Sequence, residues 1–236
     1  MRRKNTCLLF FLFACSGISA QVMGQPDSIG VQFVFEYNGL PITLGEPIQT
    51  VDDSDVLQID RLRFYVANVQ WDEDAYSALH PEKQYQLVDA AIPSSLKLRI
   101  PAEKKMQLLH LQLGVDSLTN DAGVHGGDLD PSMGMYWAWQ TGYINFKLEG
   151  SNKTCDAFTY HLGGFLDGND ASVTFQIPVL EKSQKTGSVS SDLDLVFELQ
   201  SFLEAASRIT NCKIMRPSKE AVLLSEEVKN HLSLRW

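Results

Sequence analysis

Apolar residues recur at every second position along most of this chain. Val31, Phe33 and Phe35 alternate with Gln32, Val34 and Glu36, and the run stops at Asn38-Gly39. That pattern predicts a strand closed by a turn. Residues 59–69 form a longer candidate strand, rich in aromatic and β-branched side chains. Shorter ones follow at 85–88 and 96–100. Residues 108–113 alternate strictly, with Leu109, Leu111 and Leu113 on one face and His110 and Gln112 on a polar one. Further strands are expected at 143–148, 158–162, 173–177 and 193–199, with turn signals at Asn38-Gly39, Glu149-Gly150 and Asp167-Gly168. Many short strands without long intervening helices predict an all-β fold, a single antiparallel β-sandwich domain.

Two regions break the alternation. Residues 114–139 form a long segment rich in glycine and aspartate that ends in aromatics. A connection of that length inside a compact domain is more often functional than incidental. Near the C-terminus Pro217-Ser218-Lys219-Glu220 offers Ser218 as an N-cap, followed by a short amphipathic helix over 221–232. No repeat or linker divides the chain, so residues 21–236 are expected to be one domain.

The first twenty residues change the picture of where the protein works. Arg2, Arg3 and Lys4 precede an apolar run at 8–13, and Gly17-Ile18-Ser19-Ala20 supplies small residues. This is the order of a signal peptide, with cleavage expected after Ala20 and export to the periplasm or cell surface. Leu12-Phe13-Ala14-Cys15 gives the alternative of an outer-membrane lipoprotein anchored through Cys15. No other stretch approaches about eighteen apolar residues, so no transmembrane segment is expected. A net charge of −9, thinly spread, argues against nucleic acid and offers no polybasic membrane patch. In an oxidising compartment Cys155 and Cys212 are a candidate disulfide, two unrelated thiols being the other reading.

Candidate chemistry concentrates near Met135-Tyr136-Trp137-Ala138-Trp139. Two tryptophans two apart share a face on a strand, and core packing is as good an account of them as a site. His125 lies in the glycine-rich loop and His161 in Tyr160-His161-Leu162-Gly163-Gly164. No HxH or HxxxH pair points to zinc. Asp116, Asn120, Asp121, Asp128 and Asp130 carry oxygen donors, but the EF-hand spacing is absent and Asx turns explain such residues without calcium. There is no Gly-x-Ser-x-Gly, phosphate loop or dinucleotide fingerprint, so an enzyme is not expected.

Several of these stretches closely resemble the MbnP-like family. They are Leu62-Arg63-Phe64-Tyr65-Val66-Ala67-Asn68-Val69, Gly114-Val115-Asp116-Ser117, Leu129-Asp130-Pro131, the run from Gly134-Met135 through Gln140-Thr141-Gly142-Tyr143-Ile144, Lys147-Leu148-Glu149-Gly150, and Tyr160-His161-Leu162-Gly163-Gly164. They occur in order across about residues 30–200. The resemblance implies an exported, copper-binding β-sandwich protein without turnover of its own. It also implies a partner, a di-haem enzyme of the cytochrome c peroxidase type (MbnH-like), which oxidises a tryptophan to kynurenine. The residues carried over are Trp137 or Trp139 as the modified ring, His161 as an imidazole ligand and Met135 as a soft neighbour. Asp116, Asp130 and Tyr143 mark the family's loop motif. This chain departs from the family where Glu36-Tyr37 replaces a first-strand histidine, and His125 substitutes only if its loop folds back toward His161. The rival reading is a metal-free module in which the Trp pair is a stacking platform for sugar or peptide, and the weakest is an envelope enzyme.

Overall fold

A computed structural model describes residues 28–50, 56–71, 85–101, 107–139, 142–166, 168–179 and 192–235. The proposed signal peptide, Cys15 and Asp167 lie outside these residues, as do Gln140 and Thr141.

The alternating segments form strands β1 (Ser28–Tyr37), β2 (Leu40–Pro41), β3 (Pro47–Gln49), β4 (Val56–Trp71), β5 (Tyr85–Asp89), β6 (Lys97–Pro101) and β7 (Leu108–Leu113). After them come β8 (Tyr136–Trp137), β9 (Gly142–Ser151), β10 (Phe158–Gly163), β11 (Val173–Pro178), β12 (Asp192–Glu198), β13 (Lys213–Ile214) and β14 (Leu232–Arg235). Three short helices are α1 (Ser117–Asp121), α2 (Leu199–Ile209) and α3 (Lys219–Asn230). The smaller sheet runs β14-β12-β1-β2, with β6 also on β1. The larger runs β11-β7-β4-β9-β10-β13, with β3 and β5 on β4 and β8 on β9. The Asn38-Gly39 turn is realised with positive φ at both residues, 51° and 71°, as a tight hairpin between β1 and β2 requires.

The two sheets pack face to face over one apolar layer. Phe33 and Phe35 of the smaller sheet meet Phe64 of the larger edge-on, at ring separations of 5.5 and 6.2 Å. Phe64 stacks on Phe146 at 5.9 Å, its register partner across β4 and β9. Phe146 in turn contacts Phe197 and Phe202 at 5.9 and 5.6 Å. Edge-to-face geometry suits the ring quadrupole, so these contacts add to the burial itself. Helices α2 and α3 close one end of this layer with Phe202, Ala206, Leu224 and Val228.

Some expectations need correction. The sandwich is there, but it is mixed: β1 pairs β12 in parallel, and β10 pairs β13 in parallel. Glu149-Gly150 is no turn; it lies within β9, where a Cβ on Gly150 would fall 2.2 Å from the Gln58 carbonyl oxygen and 2.6 Å from the Phe158 ring. His110 does not face water, because β7 is central and both it and Gln112 are buried. Ser218 caps α3 as expected, its Oγ accepting from the Ala221 amide at 3.1 Å. That helix ends at Asn230, however, and Leu232 begins β14, which pairs with β12. Helix α2 had no turn signal ahead of it and continues directly from a strand. Its cap is Glu198, whose carboxylate accepts from the Ser201 amide at 3.0 Å.

Phe146 is fully buried and touches both sheets and α2. Phe146→Ala is expected to cost about 3–5 kcal/mol, the range for emptying a buried phenylalanine site. The shift of the denaturant midpoint at unchanged slope measures it.

Candidate functional site

The larger sheet is buried on both faces in its middle, and residues 114–139 cover the outer one. A second apolar cluster lies there: Tyr65, Leu87, Val115, Leu129, Met135, Trp137, Tyr143 and Ile144. The segment is not structureless. Asp116 caps α1, its carboxylate accepting from the Thr119 amide at 2.9 Å and from the Tyr85 hydroxyl at 2.5 Å. Burial and that carboxylate push the Tyr85 hydroxyl up to about 12. Asn120 is a buried staple: its amide nitrogen donates to the Val115 carbonyl at 2.7 Å, and its oxygen accepts from the Tyr143 amide at 2.9 Å. Asn145 fastens the same corner by accepting from the Val115 amide at 2.9 Å. Asp128 accepts from the Leu87 amide at 2.8 Å, and Asp130 from the Ser132 amide at 2.8 Å. Hydrogen bonds from Ser132 hold the Asp130 carboxyl below its usual range. These Asx groups work as caps and backbone anchors.

Trp137 closes this cover over β10. A Cβ on Gly163 would sit 2.9 Å from Cζ3 of Trp137 and 2.5 Å from the Tyr143 carbonyl oxygen, so only glycine lets the indole approach. Trp137 is 6% exposed and Met135 is fully buried. Trp139 turns outward, 65% exposed, with its ring 5.9 Å from that of Trp137 at a tilt of 46°. The pair is therefore half core and half surface. Trp139 also lines a groove of about 620 Å³ with residues of α2, β13 and the start of α3.

His161 lies on the same outer face as Lys147, its register partner on β9. Its Nε2 is 2.7 Å from Oε1 of Glu149, whose other oxygen meets Arg61 at 3.3 Å. Burial lowers the imidazole below its ordinary 6.5, with Glu149 pulling the other way. The neutral ring thus donates Nε2–H to the carboxylate and keeps a lone pair on Nδ1, the arrangement that orients histidine in many metal sites. Beside it Arg63 pairs with Asp89 at 2.8 Å, and the Lys147 ammonium donates to the Gly134 carbonyl at 2.6 Å. Burial lowers the lysine as well.

A copper ion is poorly served by this donor set. Among the described residues no three of histidine, cysteine, aspartate or glutamate gather into a possible metal site. His125 is engaged elsewhere: its Nε2 is 3.0 Å from the Thr119 carbonyl, its amide donates to the Tyr143 hydroxyl at 2.9 Å, and its ring lies 6.5 Å from that of Tyr143. A single oriented imidazole nitrogen falls short of the nitrogen-rich set copper prefers. Cys155 and Cys212 do form a disulfide, with Cα atoms 5.9 Å apart. It ties the β9–β10 turn to β13, where the Thr159 amide donates to the Cys212 carbonyl at 2.8 Å.

The sequence reading named Glu149, Lys147, Asn120 and Gly163 only as motif or oxygen-donor residues, without the roles the structure gives them. Glu149 stands twelve residues from His161 and diagonal to it across the β9–β10 pair, so only the register reveals the contact. Asn120 was noted as an oxygen donor, not as a staple, because the partner that makes it one, the Tyr143 amide, comes from β9.

Two outcomes follow. Gly163→Ala is expected to cost about 1–3 kcal/mol by overpacking and to loosen Trp137, read by the unfolding midpoint and a red-shifted tryptophan emission. Because His161 titrates lower in the folded chain than in the unfolded one, the unfolded state binds more protons below pH 6.5. Stability should therefore be complete above that pH and fall as pH drops toward the folded value. His161→Gln should flatten that limb of a pH series of denaturant midpoints.

The family model of MbnP matches residues 26–216. No curated protein matches. Among solved structures, MbnP from Methylosinus trichosporium is similar at 13% identity and a TM-score of 0.49, over 75% of this chain and 78% of that one. On the span of the family match, the chain belongs to the MbnP family.

Proposed function

We propose that this chain is an exported MbnP-type binding protein whose Trp137–Trp139 pair is acted on by an oxidising partner. The carrying observation is the pair's geometry: one ring is exposed, the other is buried, and the two lie 5.9 Å apart. A protein-sized oxidant cannot enter the sandwich, but it can touch Trp139. Contact between the indoles lets an electron hole formed on one ring be shared by the other. The partner we infer is a di-haem enzyme of the cytochrome c peroxidase type, and the product kynurenine at Trp139. Family membership supports an association with copper in general terms. Ring opening would free an aniline nitrogen, a donor copper accepts. The residues present do not by themselves compose a copper site, and no step here depends on one. The apolar stretch and small residues before Gln21 support export. A second reading is favoured by the groove: Trp139 as a stacking platform that binds without being altered.

Tandem mass spectrometry of the protein from its native host separates the two. The expected outcome is the kynurenine mass at Trp139, one carbon lost and one oxygen gained. Unaltered tryptophan at both positions would overturn the oxidation reading and leave the platform.

A further inference from the structure

The groove beside Trp139 is charged against the trend of the molecule. The chain carries a net charge of −9. Yet the groove wall holds Arg208, Lys213 and Arg216 against one acid, Glu220. Arg208 comes from the last turn of α2, Lys213 from β13, and Arg216 from the segment entering α3. Arg208 lies 4.0 Å from Glu204 with both side chains more than half exposed, which amounts to little. No ion pair among the described residues engages Lys213 or Arg216. The same groove is lined by two exposed apolar side chains, Trp139 at 65% and Met215 at 41%.

The wall is also held in place. The Cys155–Cys212 disulfide pins the residue before Lys213 to the β9–β10 turn. Pro217, next to Arg216, packs where a Cβ of Gly164 would meet it at 2.8 Å. The cations therefore stand on a fixed frame around the tryptophan.

We propose that this groove is a docking surface for an acidic face of a protein partner. Trp139 and Met215 are its apolar anchors, and Arg208, Lys213 and Arg216 are its cationic rim. Tryptophan and arginine are the residues that dominate protein interfaces, and a charged rim around an apolar centre steers encounter and fixes orientation. Three cations on a chain of net −9 form too small a basic footprint for nucleic acid. The identity of the partner as an oxidising enzyme rests on the reading of the tryptophan pair given above; the charge match does not.

The test compares the wild-type protein with the Arg208→Glu/Lys213→Glu/Arg216→Glu variant. All three sites are exposed, and the thermal unfolding midpoint checks that the fold is kept. Binding of poly-L-glutamate is followed by tryptophan emission, with Trp139→Phe identifying the responding ring. The expected result is binding that weakens with salt, loses at least about tenfold in the triple variant, and is silent in Trp139→Phe. Equal binding by the triple variant, or none by the wild type, overturns the proposal. So does charge-dependent binding to phosphatidylglycerol vesicles without binding to poly-L-glutamate, which would make the surface a membrane contact. In the native host, a triple variant that still acquires the wild-type modification would overturn the docking surface and leave the oxidation reading standing. An unmodified wild type would do the reverse, provided poly-L-glutamate still binds.

Discussion

Strand β9 is buried on both faces over most of its length, and much of the molecule is arranged to satisfy that. Its inward residues Phe146 and Leu148 are covered by the smaller sheet and by α2. Its outward residues Tyr143, Asn145 and Lys147 would face water if nothing lay across them. Residues 114–139 lie across them. Such a cover must bring its own apolar cluster and must pair its backbone groups, because buried amides and carbonyls left unpaired cost about 1–3 kcal/mol each. Val115, Leu129, Met135 and Trp137 supply the first; Asn120, Asp116, Asp128 and Asn145 supply the second. Two of the aspartates that give this stretch the look of a cation loop, Asp116 and Asp128, are used to hold it onto the sheet.

The same constraint explains what could be read in the sequence. Period-two alternation located most of the strands, since it records a side chain's face directly. Where both faces are covered the alternation of polarity no longer marks the exposed side, and His110 and Gln112, on the polar face of β7, are buried. Helix α2 stayed hidden because it starts without a break from β12, capped by a strand's last glutamate. The candidate site was legible as composition: Trp137, Trp139 and His161 stood out by type and motif. Their arrangement was not legible, because Gly163, Glu149 and Lys147 act across strand pairs whose register no single segment encodes.

His161 shows how the fold can orient a ligand-like residue without completing a site around it. Its ring is buried beside Lys147 and near Arg61, cations that oppose its protonation, while Glu149 holds Nε2 at 2.7 Å. Glu149 in turn serves Arg61, so the carboxylate is compensated from two sides and the imidazole stays neutral. A neutral, oriented imidazole with Nδ1 unprotonated is suited to a metal, but orientation without a second and third donor gives little affinity. The dyad therefore contributes one oriented nitrogen, and any further donor has to be created or brought in.

Exposure separates the tryptophans. Of the three in the described residues, Trp71 is 1% exposed inside the sandwich and Trp137 is sealed beneath the cover. Trp139 alone of these three presents its ring to solvent, and it does so in contact with Trp137 and inside a cationic groove. Gly163 and Gly164 set this up in sequence: the first admits the buried indole, and the second admits Pro217, which places Met215 and Arg216 at the rim. A larger residue at either glycine would part the tryptophan pair from its groove. The tryptophan pair and the groove we propose as a docking surface therefore rest on the same two missing Cβ atoms.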